Sequence, residues 1–107
     1  MDLQQIQARL HQQLEQLQDR LSKVMADLSQ PHSADSEEQA QERENDEVLE
    51  NIALETKESI EHIKAALSRI SNGNYGICES CGGKIAEARL EALPEATLCV
   101  KCADLIH

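Results

Sequence analysis

The sequence predicts a mainly α fold: a long antiparallel two-helix coiled coil over residues 1–72, then a small four-cysteine module over residues 73–107. Three observations predict it. Apolar residues recur every three or four positions in two long stretches, the seam pattern of paired helices. A short polar segment holding Pro31 separates the stretches. All four cysteines fall between Cys78 and Cys102, as two Cys-x-x-Cys pairs.

The first stretch carries Leu3, Ile6, Leu10, Leu14, Leu17, Leu21, Val24 and Leu28, with Gln, Arg and Glu filling the other faces. Asp2 is placed to cap this helix. Pro31 ends it, because a proline pushes the residue before it out of the helical region. Gln30 to Ser36 reads as a polar turn. A second helix is expected from about Glu37 to Asn72, entered through a capping-box pair, Ser36 and Gln39, and stopped by Gly73. Its seam is Leu49, Ile52, Thr56, Ile60, Ile63, Leu67 and Ile70.

Two long helices joined by so short a turn fold back antiparallel. With the turn centred near residue 33, facing positions sum to about 66 by hairpin geometry. That sets Leu17 against Leu49, Leu14 against Ile52, Ile6 against Ile60 and Leu3 against Ile63, apolar on apolar. Leu67 and Ile70 are left to pack on the cysteine module.

The tip, near residues 31–40, has a different character. From Ser36 to Glu47 the only aliphatic side chain is Ala40, and Asp35, Glu37, Glu38, Glu42, Glu44, Asp46 and Glu47 crowd the same region. A helix of this length holds its acidic tip roughly 50 Å from the cysteine end. The simplest reading of the charge run is a solvated face. Asp35 and Glu38 would then cap the helix and offset its dipole, each contributing under about 1 kcal/mol.

Cys78-Glu79-Ser80-Cys81 and Cys99-Val100-Lys101-Cys102 stand seventeen residues apart. Two such knuckles supply four thiolates to one tetrahedral Zn2+ and leave no open position, so the site is expected to be structural. Gly82 and Gly83 are expected to give the backbone the freedom that the first turn needs. Tyr75, in the lead-in Asn74-Tyr75-Gly76-Ile77, is expected to pack between hairpin and finger. A helical turn is expected from Ala86 to Leu93, ended by Pro94, and a last turn from Ala103 to His107. His11, His32, His62 and His107 do not fit the ligand spacing and are expected to face solvent.

Two disulfides are the rival use of the same cysteines and need an oxidising compartment. The N-terminus, Met1-Asp2-Leu3-Gln4-Gln5, lacks the apolar core of a signal peptide. No stretch is long enough to span a membrane. A cytoplasmic chain with reduced thiols is therefore expected, and a thiol redox sensor is a further reading of the four sulfurs.

Charge narrows the partner. There are 10 Lys and Arg against 20 Asp and Glu, a net charge of −10, and a single aromatic residue, Tyr75. Four thiolates around Zn2+ would take the net charge to about −12. Nucleic-acid affinity needs clustered basic residues, and there is no basic run, so direct DNA or RNA binding is disfavoured. A basic protein surface is the more natural partner. An enzyme is not expected. Cysteines held by metal leave no nucleophile, no Ser-His-Asp set or phosphate loop is visible, and a rod tip offers no pocket to exclude water.

The run Gly73-x-Tyr75-Gly76-x-Cys78-x-x-Cys81-Gly82-x-x-Ile85-x-x-x-Arg89-Leu90-x-Ala92-x-Pro94-x-Ala96-x-x-Cys99-x-x-Cys102 closely resembles the DksA/TraR family. The antiparallel coiled coil before the finger extends the resemblance over nearly the whole chain. It implies binding to RNA polymerase through the secondary channel, with the coiled-coil tip inserted toward the active site. It also implies altered initiation at selected promoters without specific DNA binding. The family's tip motif, Asp-x-x-Asp-x-Ala, appears here as Asp35-x-x-Glu38-x-Ala40, with Glu one methylene longer. Arg89, inside the match, becomes a candidate polymerase contact.

Other implications follow from the same resemblance. Larger relatives carry an N-terminal extension and a C-terminal helix after the last cysteine, so this chain reads as a short form. Relatives that act with guanosine tetraphosphate use basic residues at positions that fall, by spacing from the cysteines, on His62, Leu93 and Ala103. None is a dependable cation at neutral pH, so weak or no synergy with the nucleotide is expected. The chain is expected to act as a monomer. The competing class is a zinc-capped coiled-coil adaptor for another protein, with the tip serving only as a turn.

Overall fold

A computed structural model describes residues 2–28 and 36–106, with side chains over 2–28 and 43–105. It contains α1 (Leu3–Leu28), α2 (Ser36–Asn72), α3 (Glu87–Ala92) and α4 (Val100–Ile106). Among the described residues there is no strand, only an isolated antiparallel bridge between Ile77 and Lys84. None of the helices is long and apolar enough to cross a membrane.

The ends of the long helices are set by local chemistry. Asp2 Oδ1 accepts the backbone N–H of Gln4 at 3.0 Å and of Gln5 at 3.3 Å. These are donors that the first turn of a helix leaves without partners. At the C-terminal end of α2, Gly73 adopts φ +76. Asn74 N–H donates to Arg69 O at 2.9 Å and Gly73 N–H to Ile70 O at 3.3 Å, the two bonds of a Schellman cap. A Cβ at Gly73 would meet nothing within 4 Å, so glycine is needed there for its dihedral alone. Pro31 and the Gln30–Ser36 turn lie outside the described residues or at their edge, as do the side chains of the expected capping pair, Ser36 and Gln39.

The chain forms two compact units, Met1–Leu14 with Glu61–His107, and Glu15–Ile60. Each takes matching ends of α1 and α2, as antiparallel pairing requires. In the first, Ile6, Leu10, Ile63 and Ala66 are buried, Leu10 completely. The seam there runs through Ala66 with Leu67 half-buried beside it, and Leu3 stays 44% exposed. In the second, Val24, Ala53, Thr56 and Ile60 are buried, flanked by half-buried Leu17, Leu21, Leu28, Leu49 and Ile52. Thr56 is the polar member of this stripe. Its hydroxyl donates to Ile52 O at 2.6 Å, so the group is satisfied within its own helix and costs the core little.

The cysteine module carries α3 within the expected span. Helix α4 differs from expectation: it begins at Val100, inside the second knuckle, rather than at Ala103. A Cys-x-x-Cys pair at i and i+3 already lies on one face of a helical turn, so the knuckle and the helix are the same piece of backbone.

Candidate metal centre

The first knuckle is a tight hairpin. Cys78 N–H donates to Gly83 O at 2.8 Å, Ile85 N–H to Gly76 O at 2.8 Å, and Gly82 N–H to Cys78 O at 3.0 Å. Gly82 sits at φ +74, where only glycine is unstrained. Gly83 is not among the residues with positive φ, so the expectation of backbone freedom holds for Gly82 and fails for Gly83. Gly83 serves the sulfur instead: its N–H donates to Cys81 Sγ at 3.5 Å.

The second knuckle is the first turn of α4, closed by Ala103 N–H to Cys99 O at 2.9 Å. Glu79 N–H donates to Thr97 O at 2.9 Å and ties the two knuckles together. Beneath them, Cys78, Ile85, Leu90 and Cys102 form a buried cluster, with Tyr75, Ala96, Leu98 and Cys99 packed against it. Tyr75 packs on this cluster within the finger, and its hydroxyl donates to Pro94 O at 2.7 Å.

All four Sγ atoms lie within 4.8 Å of one another. Zinc–sulfur bonds of about 2.3 Å in a tetrahedron put sulfurs roughly 3.8 Å apart. Cys81 Sγ and Cys99 Sγ stand at 3.8 Å, so the donor set fits one zinc ion. The four are free cysteines, which does not support the disulfide reading. Cys78 and Cys102 are buried, Cys99 half-buried and Cys81 exposed.

The electrostatics of the cluster match that fit. Backbone hydrogen bonds from Cys81 and Cys99 pull the Cys78 thiol down to about 6. The neighbouring Cys99 and Cys78 side chains, together with burial, push Cys102 up to about 12. Without a cation, sulfurs this close keep a proton on Cys102. A divalent metal supplies the charge that lets all four ionise.

Arginines brace the module. Arg89, on α3, donates from Nε to Leu98 O at 2.9 Å. Arg69, in the last turn of α2, donates to Ile77 O, and its Nη1 lies 3.7 Å from Glu79 Oε1. Arg9 Nη1 donates to Glu91 O at 2.8 Å and fastens α1 to the end of α3. Arg69 and Arg9 were not singled out by the sequence. Arg69 is the one basic residue in the last turn of α2, a position that favours a cation, but nothing in its spacing announces that it turns toward a knuckle.

The other expected site residues are placed less fully. Asp35 lies outside the described residues, and Glu38 and Ala40 lie within α2 with their side chains outside the description. His11 and His62 are exposed, as expected, whereas His32 and His107 lie outside the described residues. Leu93 is 44% exposed and Ala103 half-buried.

Comparison with known proteins finds two matching stretches of the chain. Residues 6–70 match the model of the DnaK suppressor protein-like N-terminal domain, and residues 73–105 match that of the prokaryotic dksA/traR C4-type zinc finger. The RNA polymerase-binding transcription factor DksA of Escherichia coli is 42% identical over 66 residues, 62% of this chain and 43% of that protein. An uncharacterized protein of Aquifex aeolicus is 40% identical over 62 residues, 58% of this chain and 43% of its own. The matched stretch thus spans less than half the length of these curated relatives. Among solved structures, transcription factor DksA2 of Pseudomonas aeruginosa superposes with a TM-score of 0.83 at 28% identity, covering 92% of this chain and 78% of that one. The DnaK suppressor protein of Agrobacterium tumefaciens gives 0.69 at 37% identity, covering 98% and 94%. Coiled coil, four-thiol centre and both domain matches agree, and the chain belongs to the DnaK suppressor protein-like family with a dksA/traR C4-type zinc finger.

Proposed function

We propose that this chain binds RNA polymerase through its secondary channel and modulates initiation without binding DNA. The observation that carries the reading is the 42% identity over 66 residues to a protein named as an RNA polymerase-binding transcription factor. The net charge of −10 favours a basic protein groove over a nucleic acid. In this reading residues 1–72 are the hairpin, residues 73–107 the finger, and zinc has a structural role. Asp35, Glu38 and Ala40 act at the tip. Arg89, on the finger, contacts the polymerase. The chain works as a monomer in the cytoplasm and is not an enzyme.

The tip assignment has a direct test. Asp35→Ala with Glu38→Ala should leave polymerase binding largely intact and abolish the effect on transcription from a responsive promoter. A double variant that still regulates fully would remove the tip from the mechanism. The reading also includes little synergy with guanosine tetraphosphate, since His62, Leu93 and Ala103 offer no dependable cation. Equal promoter response with and without the nucleotide supports that part, and a strong nucleotide-dependent gain contradicts it.

A further inference from the structure

Two arginines from different helices make the same contact on the two halves of the metal centre. Arg69, at the end of α2, donates to the carbonyl of Ile77, the residue immediately before Cys78. Arg89, on α3, donates to the carbonyl of Leu98, the residue immediately before Cys99. Each bond therefore falls on the peptide group that joins the leading ligand of a knuckle to the rest of the chain. In the first knuckle that peptide is held from both ends, because Cys78 N–H donates to Gly83 O at 2.8 Å. In the second, the other peptide group of Cys99 is held by Ala103 N–H on Cys99 O at 2.9 Å.

Rotation of these peptide planes about φ and ψ would swing a cysteine Cβ and carry its sulfur away from the others. A guanidinium suits the restraint. It is planar, permanently charged and presents donors in a fixed fork. Neither is a free surface arginine: the Arg69 side chain is 13% exposed and Arg89 is half-buried. Four thiolates around a divalent ion leave a net negative centre in a chain that is already acidic, so a cation on each knuckle also offsets charge. Glu79, 3.7 Å from Arg69, is itself 60% exposed and cancels only part of that effect.

We propose that Arg69 and Arg89 are the positioning residues of the zinc centre, one guanidinium per knuckle, and that together they set how tightly and how long the metal is held. This assignment does not depend on the identity of the polymerase partner. Outer-sphere partners of metal ligands typically contribute about 10- to 100-fold in metal affinity.

The test is competition for zinc between the folded protein and a chromophoric chelator, with the rate of transfer followed in the same assay. Arg69→Gln and Arg89→Gln should each lower zinc affinity about 10- to 100-fold and speed transfer, while zinc-saturated samples keep the helical signal of the parent. Arg69→Lys and Arg89→Lys keep the charge, lose the fixed fork and should fall between. The control is Arg20→Gln, at an exposed position on α1, which removes one positive charge without touching a knuckle. Parental affinity in either glutamine variant overturns the assignment of one guanidinium per knuckle. So does an equal loss in Arg20→Gln, which would make the effect one of net charge. If a glutamine variant does not fold, its lysine counterpart decides: parental zinc affinity and transfer rate there overturn the proposal, and a reduced affinity in a folded chain supports it.

Discussion

The Tyr75 hydroxyl donates to the Pro94 carbonyl at 2.7 Å, joining the segment before the first knuckle to the segment before the second across the buried cluster. Burial, and after it the charge of Glu95, raises the pKa of Tyr75 above its ordinary 10.0, against the lowering influence of Arg9 and Arg69. The fold thus favours the neutral phenol, the form that can donate to a carbonyl. That contribution to stability is fully present below pH 10 and lost as pH rises through the elevated folded-state value. Tyr75 is the only tyrosine and there is no tryptophan, so tyrosinate absorbance reports on it alone. Its midpoint should lie above 10.0 in the zinc-loaded protein, and a midpoint at or below that value contradicts the burial of the phenol.

Metal removal should act locally. In small zinc modules, forming the site and folding are coupled, so chelation should unfold the finger. α3 and α4 hold 6 and 7 residues, against 26 and 37 in α1 and α2. Excess chelator should therefore remove a minor share of the far-ultraviolet helical signal, and should return the Tyr75 midpoint toward 10.0. Loss of most of the helical signal would mean that zinc holds the long helices together as well.

The two neighbouring glycines should respond differently to alanine. Gly82 sits at φ +74 with nothing within 4 Å of a built Cβ, so Gly82→Ala carries the left-handed backbone cost alone, about 1–2 kcal/mol. Gly83 has no such dihedral, and a Cβ there would make an ordinary 3.5 Å contact with Cys81 Sγ. Urea unfolding of the zinc-loaded variants should show Gly82→Ala clearly destabilised and Gly83→Ala within about 0.5 kcal/mol of the parent, the range of substitutions that break no special feature. The reverse order contradicts the geometry of the first knuckle.

Much of this architecture is legible in residue spacing because spacing maps directly onto helices and metal ligation. The stripe from Ile6 to Leu28, the Asp2 cap, the Gly73 stop and the four ligands all follow from local rules. Leu3 reads as a seam residue yet stays exposed, and Ala66 reads as neutral yet is buried. Periodicity marks a face, while depth depends on what lies opposite. Arg69 and Arg89 illustrate a second limit. Both reach main-chain carbonyls, and a carbonyl has no residue type to be recognised in sequence. Gly83 shows a third: adjacent glycines look alike in sequence, and only backbone geometry separates the one that needs a left-handed turn from the one that serves a sulfur.

Binding of the zinc-loaded chain to bacterial RNA polymerase, competed with a known secondary-channel factor, tests the functional reading most directly. The account predicts saturable binding that the competitor displaces. Absence of binding at micromolar concentration, or binding that the competitor leaves untouched, would contradict it and give the lead to an adaptor with a different partner.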